Sequence, residues 1–282
     1  MSDFNIMKDK LSNAQIAWRA AQDIDDGSYV NLGIGFPEMI AKFQPEGRDV
    51  TYYTDNGVLG FGKAPAEGEE DWDLINAGKK AITLNPGASF FHHADSFAMV
   101  RGGHLDLAVL GAYQVAQNGD LANWRVGSKG VPAVGGAMDL VHGAKRVAVV
   151  TDHITKKGEP KLVEQCTFPL TGVGCVTRVY TSLAVLDISE GKFILREKLP
   201  AISMDELQAV TGATLHIDGD VADLIVPENL KSLMYLYVTM SAPPSAVMAA
   251  PCHLCDPMIS AQFLSRLWPN VTRQWICQPS TT

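Results

Sequence analysis

Apolar, β-branched runs recur along the first two-thirds of the chain, at 29–32, 50–53, 81–84, 105–110, 146–151 and 179–187. Few of them alternate cleanly between apolar and polar residues, which is the pattern of strands covered on both faces. Helix signals fill several of the gaps. Ser12 and Gln15 have capping-box spacing, Ile16, Ala20 and Ile24 follow on one face, and Asp25-Asp26-Gly27 supplies a stop. Pro37 suits the first turn of a short helix. Asp95 is placed to cap a helix over 96–101, and Ser203 with Glu206 repeats the capping-box spacing. Strands and helices in this order predict an α/β fold, a mostly parallel sheet with flanking helices. No internal repeat is visible.

The pattern fades after about Gly212. Residues 231–282 hold six prolines, three of the five cysteines and four charged side chains, with no sustained helical or strand period. We therefore expect a domain over 1–217 and an irregular C-terminal extension over 218–282, which reads as a poorly ordered or loosely packed segment, a docking tail or non-native sequence. The 282 residues are 46% apolar and 19% charged, as in ordinary globular proteins. A net charge of -8 without a Lys/Arg cluster argues against a nucleic-acid partner. No run approaches the roughly 18 apolar residues of a membrane span. Asp3, Lys8, Asp9 and Lys10 interrupt the start of the chain where a secretory signal would need an apolar core, so the expected location is the cytoplasm. An odd set of five cysteines then reads as free thiols.

The most informative segment is Thr54-Asp55-Asn56-Gly57. It puts a carboxylate at a strand end, immediately before a turn-forming Asn-Gly pair. Such a turn presents one acidic side chain beside exposed backbone N–H groups. Gly33-Ile34-Gly35-Phe36-Pro37, between a strand and a helix, is either an anion-holding turn or a structural one. It lacks the third glycine of a dinucleotide fingerprint. Gly135-Gly136 permits close backbone approach and is either an oxyanion donor or a plain turn. His92-His93-Ala94-Asp95 invites a metal reading, but adjacent histidines on extended backbone point to opposite faces, so packing or a substrate contact is expected instead. Cys252-His253-Leu254-Cys255 has no second pair to complete a zinc site. No metal is expected. Arg101-Gly102-Gly103 fits a cation beside an anion, and equally a helix C-terminus. Ser128, Lys129, Lys156 and Lys157 read as solvated surface.

A wider set of segments gives these motifs a common setting. They are Val30-Asn31-Leu32-Gly33-Ile34-Gly35, Asp73-Leu74-Ile75-Asn76-Ala77-Gly78-Lys79, and Asp95-Ser96-Phe97-Ala98-Met99-Val100-Arg101-Gly102-Gly103-His104. Gly119-Asp120-Leu121-Ala122-Asn123-Trp124, Gly135-Gly136-Ala137-Met138-Asp139-Leu140 and Cys166-Thr167-Phe168-Pro169-Leu170-Thr171-Gly172 follow in order. Over about residues 12–215 the chain resembles the β subunit of class I CoA-transferases of the 3-oxoacid type. The segment 65–70 and His92-His93-Ala94-Asp95 look most like the 3-oxoadipate CoA-transferase branch.

The resemblance implies a CoA-transferase β-subunit-like fold and a ping-pong exchange of CoA from succinyl-CoA to a 3-oxoacid, with 3-oxoadipate favoured. A carboxylate would form an acyl anhydride and then an enzyme–CoA thioester. By motif position Asp55 stands at the nucleophile and Gly136 at the oxyanion-binding backbone N–H. CoA is then substrate and covalent intermediate, and no cofactor is permanently bound. The expected partner is an α subunit, in a heterodimer or an α2β2 assembly. The family places Ser-Glu-Asn-Gly where this chain has Thr54-Asp55-Asn56-Gly57. Three alternatives therefore stand beside a working Asp55: an impaired enzyme, a non-catalytic β subunit, and a CoA-ester hydratase or hydrolase on the same fold.

Overall fold

The computed structural model describes residues 5–126 and 134–230. In chain order these form α1 (Ile6–Asp9), α2 (Asn13–Ala21), β1 (Tyr29–Leu32), a 3-10 helix (Pro37–Phe43), β2 (Thr51–Thr54), β3 (Val58–Phe61) and β4 (Leu84–Phe90). Then come α3 (His93–Arg101), β5 (Leu107–Leu110), β6 (Gln114–Ala116), β7 (Leu121–Ala122), α4 (Ala137–Gly143), β8 (Arg146–Thr151) and β9 (Leu162–Val163). β10 (Arg178–Thr181), β11 (Ala184–Ser189), β12 (Lys192–Lys198), α5 (Met204–Ala209), β13 (Leu215–His216) and β14 (Ala222–Asp223) complete the series.

Strands β2, β1, β5, β8 and β10 lie side by side in that order, all parallel. The sheet continues antiparallel on one side through β3 and β4, and on the other through β11 and β12. β13 and β14 pair parallel with β12. β6, β7 and β9 form a small separate sheet. This is the mostly parallel α/β architecture that the apolar runs predict. Its centre is buried because β5 reads Leu-Ala-Val-Leu and β8 reads Arg-Val-Ala-Val-Val-Thr, with Arg146 alone of these ten residues exposed. β14 pairs with the sheet and Leu224 is buried, so 218–230 packs on the domain. Residues 231–282, including Cys252 and Cys255, lie outside the described residues, as do Ser128 and Lys129.

The two capping boxes form as the spacing predicts, Ser12 with Gln15 and Ser203 with Glu206. Elsewhere the boundaries move, for local reasons. α2 stops at Ala21 rather than at Asp25-Asp26-Gly27. Its last turn tightens, with Gln22, Asp23 and Ile24 N–H bonding three residues back, and the Arg48 guanidinium takes the Gln22 and Ile24 carbonyls. α3 starts three residues before the expected 96, and its cap is His92 rather than Asp95: His92 Nδ1 accepts from Ala94 N at 3.1 Å. The single strand expected over 179–187 is a hairpin, β10 and β11. Thr181 Oγ1 makes its turn by accepting from the N–H groups of Leu183 and Ala184. The strand expected over 81–84 begins only at Leu84 and runs through Pro86 and Gly87, which its edge position tolerates.

At the end of β8 His153 is completely buried, its Nδ1 and Nε2 each 2.9 Å from a threonine hydroxyl, on Thr181 and Thr211. Burial pushes its pKa down from 6.5 to about 4. The unfolded ring takes up its proton near the ordinary value while the folded ring resists, so stability is full above pH 6.5 and falls as pH drops toward 4. Urea unfolding of the wild type is expected to lose about 1.4 kcal/mol per pH unit from this group over that interval. His153→Leu is expected to flatten that part of the profile; an unchanged slope would show that another group carries it.

Candidate active site

The site begins with β2. Tyr53 is buried, packs parallel to the Phe91 ring at 6.0 Å, and donates its hydroxyl to Ser96 O at 2.9 Å, which ties β2 to α3. Thr54 pairs with Val58 across a three-residue loop, Asp55-Asn56-Gly57, and Gly57 N–H closes it on Thr54 O at 3.1 Å. Gly57 has φ +114°, and a Cβ there would lie 2.3 Å from Phe91 O, so no other residue fits. The flank of the turn is pinned by Asn56 Nδ2 on Ile75 O at 2.8 Å and by Ala77 N on Thr54 Oγ1 at 3.2 Å. The 76–80 segment is itself held by Glu38, which accepts from Asn76, Lys80 and Gly35 N–H.

Asp55 is the carboxylate this scaffold presents. Its backbone carbonyl lies 2.8 Å from His93 Nδ1, and the His93 ring stands edge-on to Phe97 at 4.9 Å. Its carboxylate faces Gly136: a Cβ built at Gly136 would lie 2.5 Å from Asp55 Oδ2 and 2.8 Å from the Phe97 ring. Glycine is therefore required for that approach. Gly136 is the residue that opens α4, and Gly135 before it has φ +56°. Partial burial raises the Asp55 pKa above the ordinary carboxylate value, while His93 and the turn's N–H groups at Asp55 and Asn56 oppose the rise.

Asp55 and Gly136 share a cleft of about 500 Å³ that also takes in Gly33, Gly111, Asp152 and Lys161. The carboxyl ends of β1, β2, β5 and β8 lead into these residues. The chain passes from β1 to β2 on one side and later returns to β5 on the other, so β1 and β5 bound a topological switch point. Open α/β sheets bind ligands at such crevices.

The remaining candidates separate from this centre or support it indirectly. Gly33 N–H bonds Val109 O at 2.8 Å and Gly35 N–H bonds Glu38 at 3.0 Å, so both glycine donors of that turn are taken by structure. His92 and His93 serve different partners, a helix cap and the Asp55 carbonyl. Arg101 ends α3 with Gly102 past it and pairs with Asp139 of α4 at 2.8 Å. Lys156 and Lys157 are exposed. Among the described residues no cluster of His, Cys, Asp or Glu could hold a metal ion. The sequence reading did not single out Glu38, Asp152 or Lys161. The side-chain partners of Glu38 and Asp152, Asn76 with Lys80 and Lys10, come from distant segments, and those of Lys161 are a carbonyl and a threonine hydroxyl, so no local motif marks any of the three.

Residues 13–209 match the family model described as Coenzyme A transferase. The chain is 58% identical over 207 residues to the β subunit of 3-oxoadipate CoA-transferase from Acinetobacter baylyi, covering 73% of this chain and 95% of that protein. It is 50% identical over 199 residues to the β subunit of succinyl-CoA:3-ketoacid coenzyme A transferase from Helicobacter pylori, covering 71% and 96%. Among solved structures, an acyl-CoA transferase apoenzyme from Escherichia coli O157:H7 shares the fold with a TM-score of 0.61 at 17% identity, over 81% of this chain and 45% of that longer one. The chain belongs to the coenzyme A transferase family, among its class I β subunits.

Proposed function

We propose that this subunit moves CoA from succinyl-CoA to a 3-oxoacid, with 3-oxoadipate as the favoured acceptor, and that it does so in a heterodimer or α2β2 complex with an α subunit. The observation that carries the reading is the contact between the Asp55 carboxylate and the Gly136 turn at the mouth of the sheet's switch point. Identity of 56–58% to β subunits named for 3-oxoadipate CoA-transferase supports the choice of acceptor.

In this reading Asp55 attacks the thioester carbonyl of succinyl-CoA. The bond to sulfur breaks, CoA leaves as thiolate, and a succinyl–aspartyl anhydride remains. The thiolate then attacks the Asp55 carbonyl, which releases succinate and leaves an aspartyl–CoA thioester. The acceptor carboxylate reverses the sequence: it forms a second anhydride, and the returning thiolate takes the acceptor's acyl group and frees Asp55. A carboxylate suits this work because each intermediate is readily reversed. Each attack passes through an oxyanion, and the backbone N–H of Gly136 is the donor assigned to it.

A second reading is favoured by one observation, the aspartate where the family motif has glutamate. The shorter side chain withdraws the nucleophile by roughly 1–1.5 Å, about one C–C bond. A displacement of about 1 Å can cost on the order of a hundredfold in rate. The result would be an impaired or non-catalytic subunit. Against it stands the proximity of Asp55 to Gly136, which reads as a turn adjusted to the shorter residue.

Three variants, each assembled with the α subunit and assayed for CoA exchange between succinyl-CoA and 3-oxoadipate, separate the readings. Asp55→Ala is expected to lower kcat by about a thousandfold or more, the scale for losing a covalent nucleophile, while assembly survives. Residual exchange near the wild-type rate would remove Asp55 from the mechanism, and thioester hydrolysis or hydration without an acceptor would favour the other enzyme class. Asp55→Glu is expected to leave kcat unchanged or to lower it, by up to about a hundredfold, since the turn is adjusted to the shorter carboxylate; a rise of about a hundredfold would favour the impaired reading. Gly136→Ala is expected to cost about a hundredfold in kcat, because the added methyl displaces either Asp55 or α4. Full activity in that variant would separate Gly136 from the reacting carboxylate.

A further inference from the structure

Lys161 is the one basic side chain among the described residues that line the cleft. It directly precedes β9, and its backbone is fixed on both sides: its N–H bonds His153 O at 3.1 Å, and its carbonyl accepts from Val115 N at 2.9 Å. The ammonium donates to Ala112 O at 3.2 Å and to Thr151 Oγ1 at 2.9 Å. Both acceptors are uncharged, and an ammonium has three N–H donors. One donor is therefore left over, and among the described residues no carboxylate within bonding distance neutralises the charge. Asp152 acts on Lys161 electrostatically but is itself bonded to Lys10 at 2.6 Å. Burial lowers the Lys161 pKa from the ordinary lysine value, so a bound anion would restore part of what water supplied.

The transferase reading gives such a cation a task. Succinyl and 3-oxoadipyl groups each carry one carboxyl group that reacts and a second carboxylate that does not. The second must be desolvated when the acyl group enters a half-closed cleft, and an unpaired charge there is costly. The other acid lining the same cleft, apart from Asp55, is already paired. We propose that Lys161 is a specificity-determining residue that receives the distal carboxylate of a dicarboxylic acyl group while the other end reacts at Asp55. The proposal rests on the transferase reading and extends it to the substrate class. A phosphate of CoA is the other anion that could reach such a lysine, and a purely structural strut between β8 and β9 is the remaining role.

The test uses the full chain assembled with its α subunit, at saturating succinyl-CoA, with 3-oxoadipate and acetoacetate as paired acceptors. Acetoacetate keeps the reacting end and lacks the distal carboxylate. Lys161→Met is expected to raise KM for 3-oxoadipate by roughly ten- to a hundredfold, the scale of one charge-assisted hydrogen bond, and to leave KM for acetoacetate within about twofold. Lys161→Arg is expected to keep most of the preference. If KM rises equally for both acceptors, or kcat falls alone, Lys161 is a strut and the proposal fails. It also fails if both acceptors are unchanged while KM for succinyl-CoA and acetoacetyl-CoA rises equally, which would assign the lysine to a CoA phosphate. Calorimetric binding of adipate monomethyl ester against the dimethyl ester reads the same feature without turnover, since only the first offers a carboxylate to Lys161. Preference for the monomethyl ester in the wild type, lost in Lys161→Met, supports the inference even if CoA exchange is absent, in which case the transferase reading fails by itself. Exchange with no such preference overturns the inference alone.

Discussion

One steric constraint governs the site: the glycine that closes the turn between β2 and β3. Gly57 lies so close under Phe91 O that a single added carbon would be 2.3 Å from it. The approach is held from both sides, because Phe91 N–H bonds back to Gly57 O at 3.1 Å. Opening it would break the pairing between the hairpin and the segment that leads into α3. With Gly57 fixed, Asp55 has little choice of position. It stands at the end of a strand whose Tyr53 is locked to α3, and a side chain carried on rigid elements is placed more accurately than one on a free loop.

The same arrangement sets the electrostatics. Partial burial works against ionisation of Asp55, and its neighbours on the turn and His93 work for it. A carboxylate poised in this way is less hydrated than one in water, which favours attack on a carbonyl carbon. Gly136 completes the picture from a different part of the chain. It reaches the carboxylate because the residue that caps α4 has no side chain, and Arg101 at the end of α3 pairs with Asp139 in the first turn of α4. Two helices and a hairpin thus meet around Asp55.

Where local chemistry decides the structure, the sequence was readable. Ser12 with Gln15 and Ser203 with Glu206 mark helix starts because the signal lies within four residues. β8 follows its apolar run residue for residue. The hairpin at Thr181 was hidden because its turn is made by a threonine hydroxyl, with none of the Gly, Pro or Asn signals that mark turns. His92 displaced Asp95 as a cap because a ring nitrogen can accept an N–H as an aspartate does. At the site, Asp55 was legible as a carboxylate on an Asn-Gly turn. Gly136 acquired meaning only through family resemblance. Lys161 and Asp152 were invisible, since a cleft assembled from four strand ends leaves no trace in any one segment.

The central claim is that Asp55 becomes covalently linked to CoA. It is tested most directly by incubating the chain and its α subunit with succinyl-CoA, quenching with hydroxylamine, and mapping the modified peptide by mass spectrometry. A hydroxamate is predicted on Asp55, formed only when succinyl-CoA is present and lost when excess 3-oxoadipate is added before the quench. CoA exchange that proceeds while Asp55 stays unmodified, or a hydroxamate on another carboxylate, would contradict it.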